Sequence, residues 1–183
     1  MARQINAYRQ AAEEVSTLAL VSQDVVEATW KKAATMDART ARALQKKFAK
    51  FQPALTGFTI GWTQELRADA VGLALYVMVV VFEMFRAAGA KARKATEKSV
   101  MEYWKRSAEL ATQLESSGVE PSTLSGFSLA TEEPHVLQYV IDALTEEPED
   151  DPVHLTKKEF WHVFATLKTV VDTLHDASTA ASS

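Results

Sequence analysis

Glu132 with His135 and Glu159 with His162 both spell Glu-x-x-His, the spacing by which carboxylate bundles hold paired metal ions. Residues three apart on a helix share a face, so two such pairs on facing helices could converge on one dinuclear centre. Three features argue against it. Glu159 completes a capping box with Thr156, Pro134 interrupts the other pair, and both pairs sit at helix N-termini, where the dipole repels cations. The sequence therefore predicts neither a metal centre nor a cofactor.

Other catalytic chemistry finds little support. With no cysteine in the chain, disulfides, thiolate metal sites and thiol nucleophiles are excluded. Glycine-rich phosphate loops, zinc-protease patterns and the nucleophile elbow are absent as motifs. A polar stripe remains in the most apolar part of the chain, where Glu65, Asp69, Gly72, Tyr76 and Glu83 recur at spacings of 4, 3, 4 and 7. Asp69 and Glu83 stand about 21 Å apart at the helical rise and cannot share acid and base work, whereas Glu65 and Asp69, one turn apart, could. With Tyr76, Met78, Met84 and Trp104 these two carboxylates would line a pocket for a small apolar ligand. The plainer expectation is a thin solvated strip beside a filled core.

Charge is the more informative pattern. From Ser107 to Thr156 the chain has 11 acidic residues and no Lys or Arg, a net charge of −11 against +7 for the remainder. Arg39, Arg42, Lys46 and Lys50 recur at helical spacing and make a basic face, and Lys91–Lys94 reads KARK. Such a face could hold a phosphate backbone, an acidic partner or an anionic membrane surface; basic faces of amphipathic helices are more often simply solvated, and the acidic half of the chain could itself neutralise this one. A net charge of −4 and a pI near 5.6 speak against a dedicated nucleic-acid binder. Trp161 and His162 are further interaction candidates if the last helix turns them outward; if both sides of that helix pack inward, Trp161 is core. The acidic run 146–151 lacks the alternating ligands and central glycine of a calcium loop and reads as a solvated turn.

These residues must be carried by helices. The stretch VGLALYVMVVVFEMF, residues 71–85, is interrupted by Glu83, and only 13 apolar or small residues run uninterrupted between Asp69 and Glu83, against the ~20 that a bilayer requires. It reads as part of a helix from about 62 to 88, apolar on nearly every face, which implies other helices around it and no transmembrane segment. Residues 1–52 contain neither Gly nor Pro and predict a long helix from Ile5 to Ala33, with Asp37 capping a second helix whose apolar face is Ala41, Leu44, Phe48 and Phe51. A helix from about Lys91 to Ser116 carries Val100, Tyr103, Trp104, Leu110 and Leu114 inward and stops at Gly118. Beyond it, Pro134 opens a helix with Val136, Leu137, Val140, Ile141 and Leu144 inward, and the Thr156–Glu159 capping box opens the last.

The fold expected is all-α: a bundle of long helices around the central apolar helix, with a C-terminal helical hairpin. Residues 1–116 form the bundle, 117–133 a linker, 134–176 the hairpin packed on the bundle, and 177–183 a disordered tail. No apolar run of signal-peptide length follows Arg3 and Arg9, which points to the cytoplasm. The functional expectation is a non-enzymatic module for protein–protein contact or self-association, with a small-molecule or lipid-binding bundle as the competing reading.

Overall fold

The computed structural model describes residues 19–126, 131–146 and 153–179, and among these it is all-helical. Seven α-helices follow in order: α1 (Gln23–Ala34), α2 (Ala38–Phe51), α3 (Pro53–Thr63), α4 (Ala68–Ala87), α5 (Glu97–Ser116), α6 (Pro134–Thr145) and α7 (Lys157–Thr179), with a 3-10 turn (Pro121–Gly126) between α5 and α6. The expected helical bundle is present. The long helix expected from Ile5 starts only at Gln23, and residues 19–22 before it are not helical; residues 1–18 lie outside the described residues, as do most of the acidic run 146–151 and the last four residues.

Local signals place several ends as expected. The Asp37 carboxylate accepts from Thr40 N at 2.7 Å and caps α2. Gly118, at φ 75°, ends α5 in the left-handed region that glycine adopts without strain. At the start of α7, Thr156 Oγ1 accepts from Glu159 N at 3.2 Å, and Glu159 Oε2 accepts from Thr156 N at 2.9 Å. The five residues expected on the inner face of α6 are all buried.

Elsewhere tertiary packing moved the boundaries. The helix read as 62–88 is two: α3, which contains Gly57 and Gly61, ends at Thr63, and α4 starts at Ala68. The helix read from Lys91 starts at Glu97, behind its own capping box of Thr96 and Ser99. In α5 the buried residues are Val100, Ser107 and Ala111, two of them small, and small residues let this helix lie close to α7, its most extensive partner. The segment after α5 holds Leu124 and Glu133, both fully buried. The last helix runs on to Thr179, with Ala177 and Ser178 buried.

α4 packs against α1, α2, α3, α6 and α7, as a central helix should. It is long and apolar enough to cross a bilayer by length and composition, but ten of its residues, from Ala70 to Phe85, are buried against protein. α7 is more enclosed still, touching α3, α4, α5, α6 and the 3-10 turn, with 16 of its 23 residues buried. One apolar cluster runs from Val21 to Leu174 and joins all seven helices. Because Leu167 is fully buried in it, Leu167→Ala should cost about 2–5 kcal/mol in urea unfolding. Phe51→Ala, at a position 51% exposed, should stay within about 0.5 kcal/mol, and loss of the cap in Thr156→Ala should cost about 1 kcal/mol.

Candidate functional site: a basic platform on a pinned frame

The basic face on α2 is present as expected: Arg39, Arg42, Lys46 and Lys50 are all exposed. What sequence spacing did not reveal is how the second basic run is brought to it. Gln52, which ends α2, is 1% exposed. Its amide donates from Nε2 to the Arg93 carbonyl at 2.8 Å and accepts at Oε1 from Ala95 N at 2.9 Å. A backbone bond from Arg93 N to the Ala177 carbonyl, 2.9 Å, ties the same segment to the end of α7. Residues 91–95 are therefore held on both sides although they are not helical. Lys91, Arg93 and Lys94, all exposed, join the C-terminal end of α2, with Lys98 on the first turn of α5.

Nine cations thus come from two segments, five in α2 and four in 91–98, with Glu97 the only acidic residue inside either. None of the nine forms an ion pair among the described residues. Phe51, half exposed, sits beside them at the end of α2. A platform of this kind can hold a surface of opposite charge and steer its approach.

The other interaction candidates lie elsewhere. Of the two placements open to Trp161, the structure takes the inner one: it is 3% exposed and packs edge-on against Phe160 and Phe164, with ring centroids 5.1 and 5.9 Å away. The expectation of an outward Trp161 is corrected, because α7 is covered on both sides. His162 was expected to face away from the core and is half-buried, bonded to the Trp62 carbonyl. Its ring lies 6.2 Å from that of Trp104, which stacks on Trp62 at 4.6 Å.

The six residues proposed to line a ligand pocket do not converge. Met78 and Met84 are core, at 2% and 0% exposure, Trp104 belongs to the aromatic stack, and Glu65 and Asp69 are exposed. Glu65 also falls in the turn before α4, off the helical stripe assigned to it. Only Tyr76 lines a groove. It stands between two of them, about 580 Å³ on the side of α6 and about 570 Å³ on the side of α2.

Among the described residues no cluster of three or more potential metal ligands occurs. Glu159 instead binds Arg67 in a fork, Nε to Oε1 at 2.8 Å and Nη2 to Oε2 at 3.0 Å, while Arg67 also donates to the His154 carbonyl. Arg67 and the Thr156 amide together lower the Glu159 carboxyl to about 2. At the other end of α7, the buried carboxylate of Glu133 accepts from Leu20 N at 2.9 Å and Val21 N at 3.2 Å, with His175 Nδ1 2.8 Å away. The Glu133 carboxylate raises the His175 imidazole above its ordinary value, against partial burial. No protein-family model matches this chain, and neither does any curated protein or solved structure.

The two tethers respond to pH in opposite senses. Because Glu159 is lowered from 4.5 to about 2, its contribution to stability is present above 4.5 and is lost as pH falls towards 2. Urea unfolding across that window should show a flatter acid limb for Glu159→Gln than for the unsubstituted chain. His175 is raised above 6.5, so its contribution is complete below 6.5 and is lost as pH rises through the folded value. The stability gap between the unsubstituted chain and His175→Ala should narrow over that rise.

Proposed function

We propose that this chain is a non-enzymatic helical interaction module, working in the cytoplasm, which docks an acidic surface of a protein partner on the basic platform of α2 and residues 91–98. The observation that carries this reading is the assembly itself: two basic runs separated in sequence meet at Gln52 and keep all nine cations out of internal ion pairs among the described residues. Unpaired surface cations on a fixed frame lose little conformational freedom on meeting a partner, and they set orientation and on-rate more than bulk affinity. The acidic half of a second copy is one such surface, which makes charge-driven self-association a form of the same function.

A second reading, a small apolar ligand, is supported by the groove between α1, α2 and α4, whose walls include Met36, Leu44, Val79 and Val80. Native mass spectrometry of freshly purified protein should then show a copurified ligand.

The platform is tested by titrating the full chain into fluorescent polyglutamate at low and high ionic strength, with duplex DNA and phosphatidylserine vesicles as parallel arms. Polyglutamate should bind most tightly at low salt, and the variant Lys46→Glu/Lys50→Glu/Lys91→Glu/Lys94→Glu should lose at least about tenfold, roughly 1.4 kcal/mol. Sedimentation velocity of the chain alone under the same salts reads self-association. Tighter binding to DNA or vesicles would show the partner class to be wrong, and equal binding by the variant would remove the platform from the function.

A further inference from the structure

On the other side of α4 the molecule carries a groove of opposite character. It lies between α1, α4 and α6 and encloses about 580 Å³, within the range of about 300–1,000 Å³ typical of sites for small ligands. Its apolar surface is largely aromatic. Trp30 and Tyr76 are 41% and 38% exposed, so they leave ring surface open to solvent, and Tyr139 lines the same wall. The acidic residues on its rim are Glu27, Asp142 and Glu146, His135 lines it as well, and among the described residues no Lys or Arg does.

These two features select the same ligand sign. The face of an aromatic ring presents negative potential and attracts a cation within about 6 Å of its centroid, while a rim of carboxylates repels anions. Neither feature favours a neutral hydrocarbon over a cation of the same shape. Burial raises the Tyr139 phenol above its ordinary value, which keeps that ring neutral. The three carboxylates differ in how far they are already engaged. Glu27 receives Lys31 at 3.3 Å and Gln23 at 3.4 Å, and Asp142 accepts from Gln138 at 2.7 Å. The argument therefore rests on the net sign of the rim rather than on any one oxygen.

We infer that the groove between α1, α4 and α6 binds a small organic cation, a protonated amine or quaternary ammonium carried on an apolar body of about one ring. The ammonium lies against the Trp30 and Tyr76 rings near Asp142, and the apolar body fills the space over Leu73 and Val26, which also line the groove. This site is separate from the basic platform: α2 and α6 do not touch, and α4 packs against both.

The test uses the full chain with benzyltrimethylammonium and its uncharged carbon isostere neopentylbenzene, read by calorimetric titration and by tryptophan fluorescence at low ionic strength. The cation should bind saturably, and the isostere at least about tenfold more weakly. Trp30→Leu and Asp142→Asn should each weaken the cation by about threefold or more, with circular dichroism confirming that both variants stay helical. Should Trp30→Leu disturb the fold, Tyr76→Leu on the opposite wall supplies the same reading. Equal affinity for the two compounds, no saturable binding of the cation, or unchanged affinity in both Asp142→Asn and a folded aromatic variant would each overturn the inference.

Discussion

Five elements of this fold pack on α7, and what helps α7 to be enclosed is that several of its polar side chains are satisfied along their own helix, although Trp161 Nε1 and Thr173 Oγ1 are buried without a partner among the described residues. Thr166, Thr169 and Ser178 each donate to the carbonyl four residues back, at 2.9, 2.8 and 2.7 Å. A hydroxyl bonded in this way can be buried without losing a partner to desolvation. Lys168 and Asp172 pair one turn apart with side chains only 8% and 15% exposed. Burial raises the Asp172 carboxyl while Lys168 opposes it. Such a pair is weak evidence for net stability. Its consequence here is geometric, because it removes the polar face that would otherwise have to meet water, and α3, α4, α5 and α6 can all pack on one helix.

From that spine, tethers run outward to the segments that have least packing of their own. Near its start, Glu159 holds the Arg67 corner between α3 and α4, and His162 holds the end of α3 through the Trp62 carbonyl. Near its end, His175 meets Glu133, which in turn holds the backbone just before α1, and the Ala177 carbonyl receives Arg93. Three of these four tethers fix a place where local structure is not helical, so the bundle has positioned loops as well as positioned helices. The platform and the aromatic groove both inherit their geometry from this arrangement.

The same arrangement explains what could be read from the chain and what could not. Caps and faces set within one element were legible: Asp37 on α2, the Thr156–Glu159 box, Gly118 after α5, and the five-residue inner face of α6. They depend on neighbours one turn away, and the periodicity carries that information. The last helix was legible only in part, since the side that carries Trp161 also carries Lys168 and Asp172, two charges that mark a face as solvated. A wheel counts each charge as a demand for water, whereas Lys168 and Asp172 answer each other. Gly57 and Gly61, each costing about 1 kcal/mol inside a helix, gave no local sign of α3, which contains both with Leu55 and Phe58 buried beside them. Half of the platform was visible as helical spacing on α2 and as the KARK run. The join was not, because Gln52 reaches residues 41 and 43 positions away, and nothing in the residue before a proline announces a buried bridge. The groove was invisible for a similar reason: its residues come from α1, α4 and α6 and share no local pattern.

The segregation of charge follows from these constraints and gives the molecule two faces rather than one neutral surface. A chain with 20 basic and 24 acidic residues could pair most of them across its surface, gaining about 0–1 kcal/mol for each exposed pair. Here the platform cations are held at the end of α2 by Gln52, and the acidic rim is held on α6 by its five buried apolar residues. With α4 against both helices and no contact between them, the platform and the rim are kept from pairing directly, and salt weakens what attraction remains across the surface. On the readings proposed above, opposite fields on one frame would select different ligands, an acidic surface at one and an organic cation at the other, with the core between them keeping one from neutralising the other.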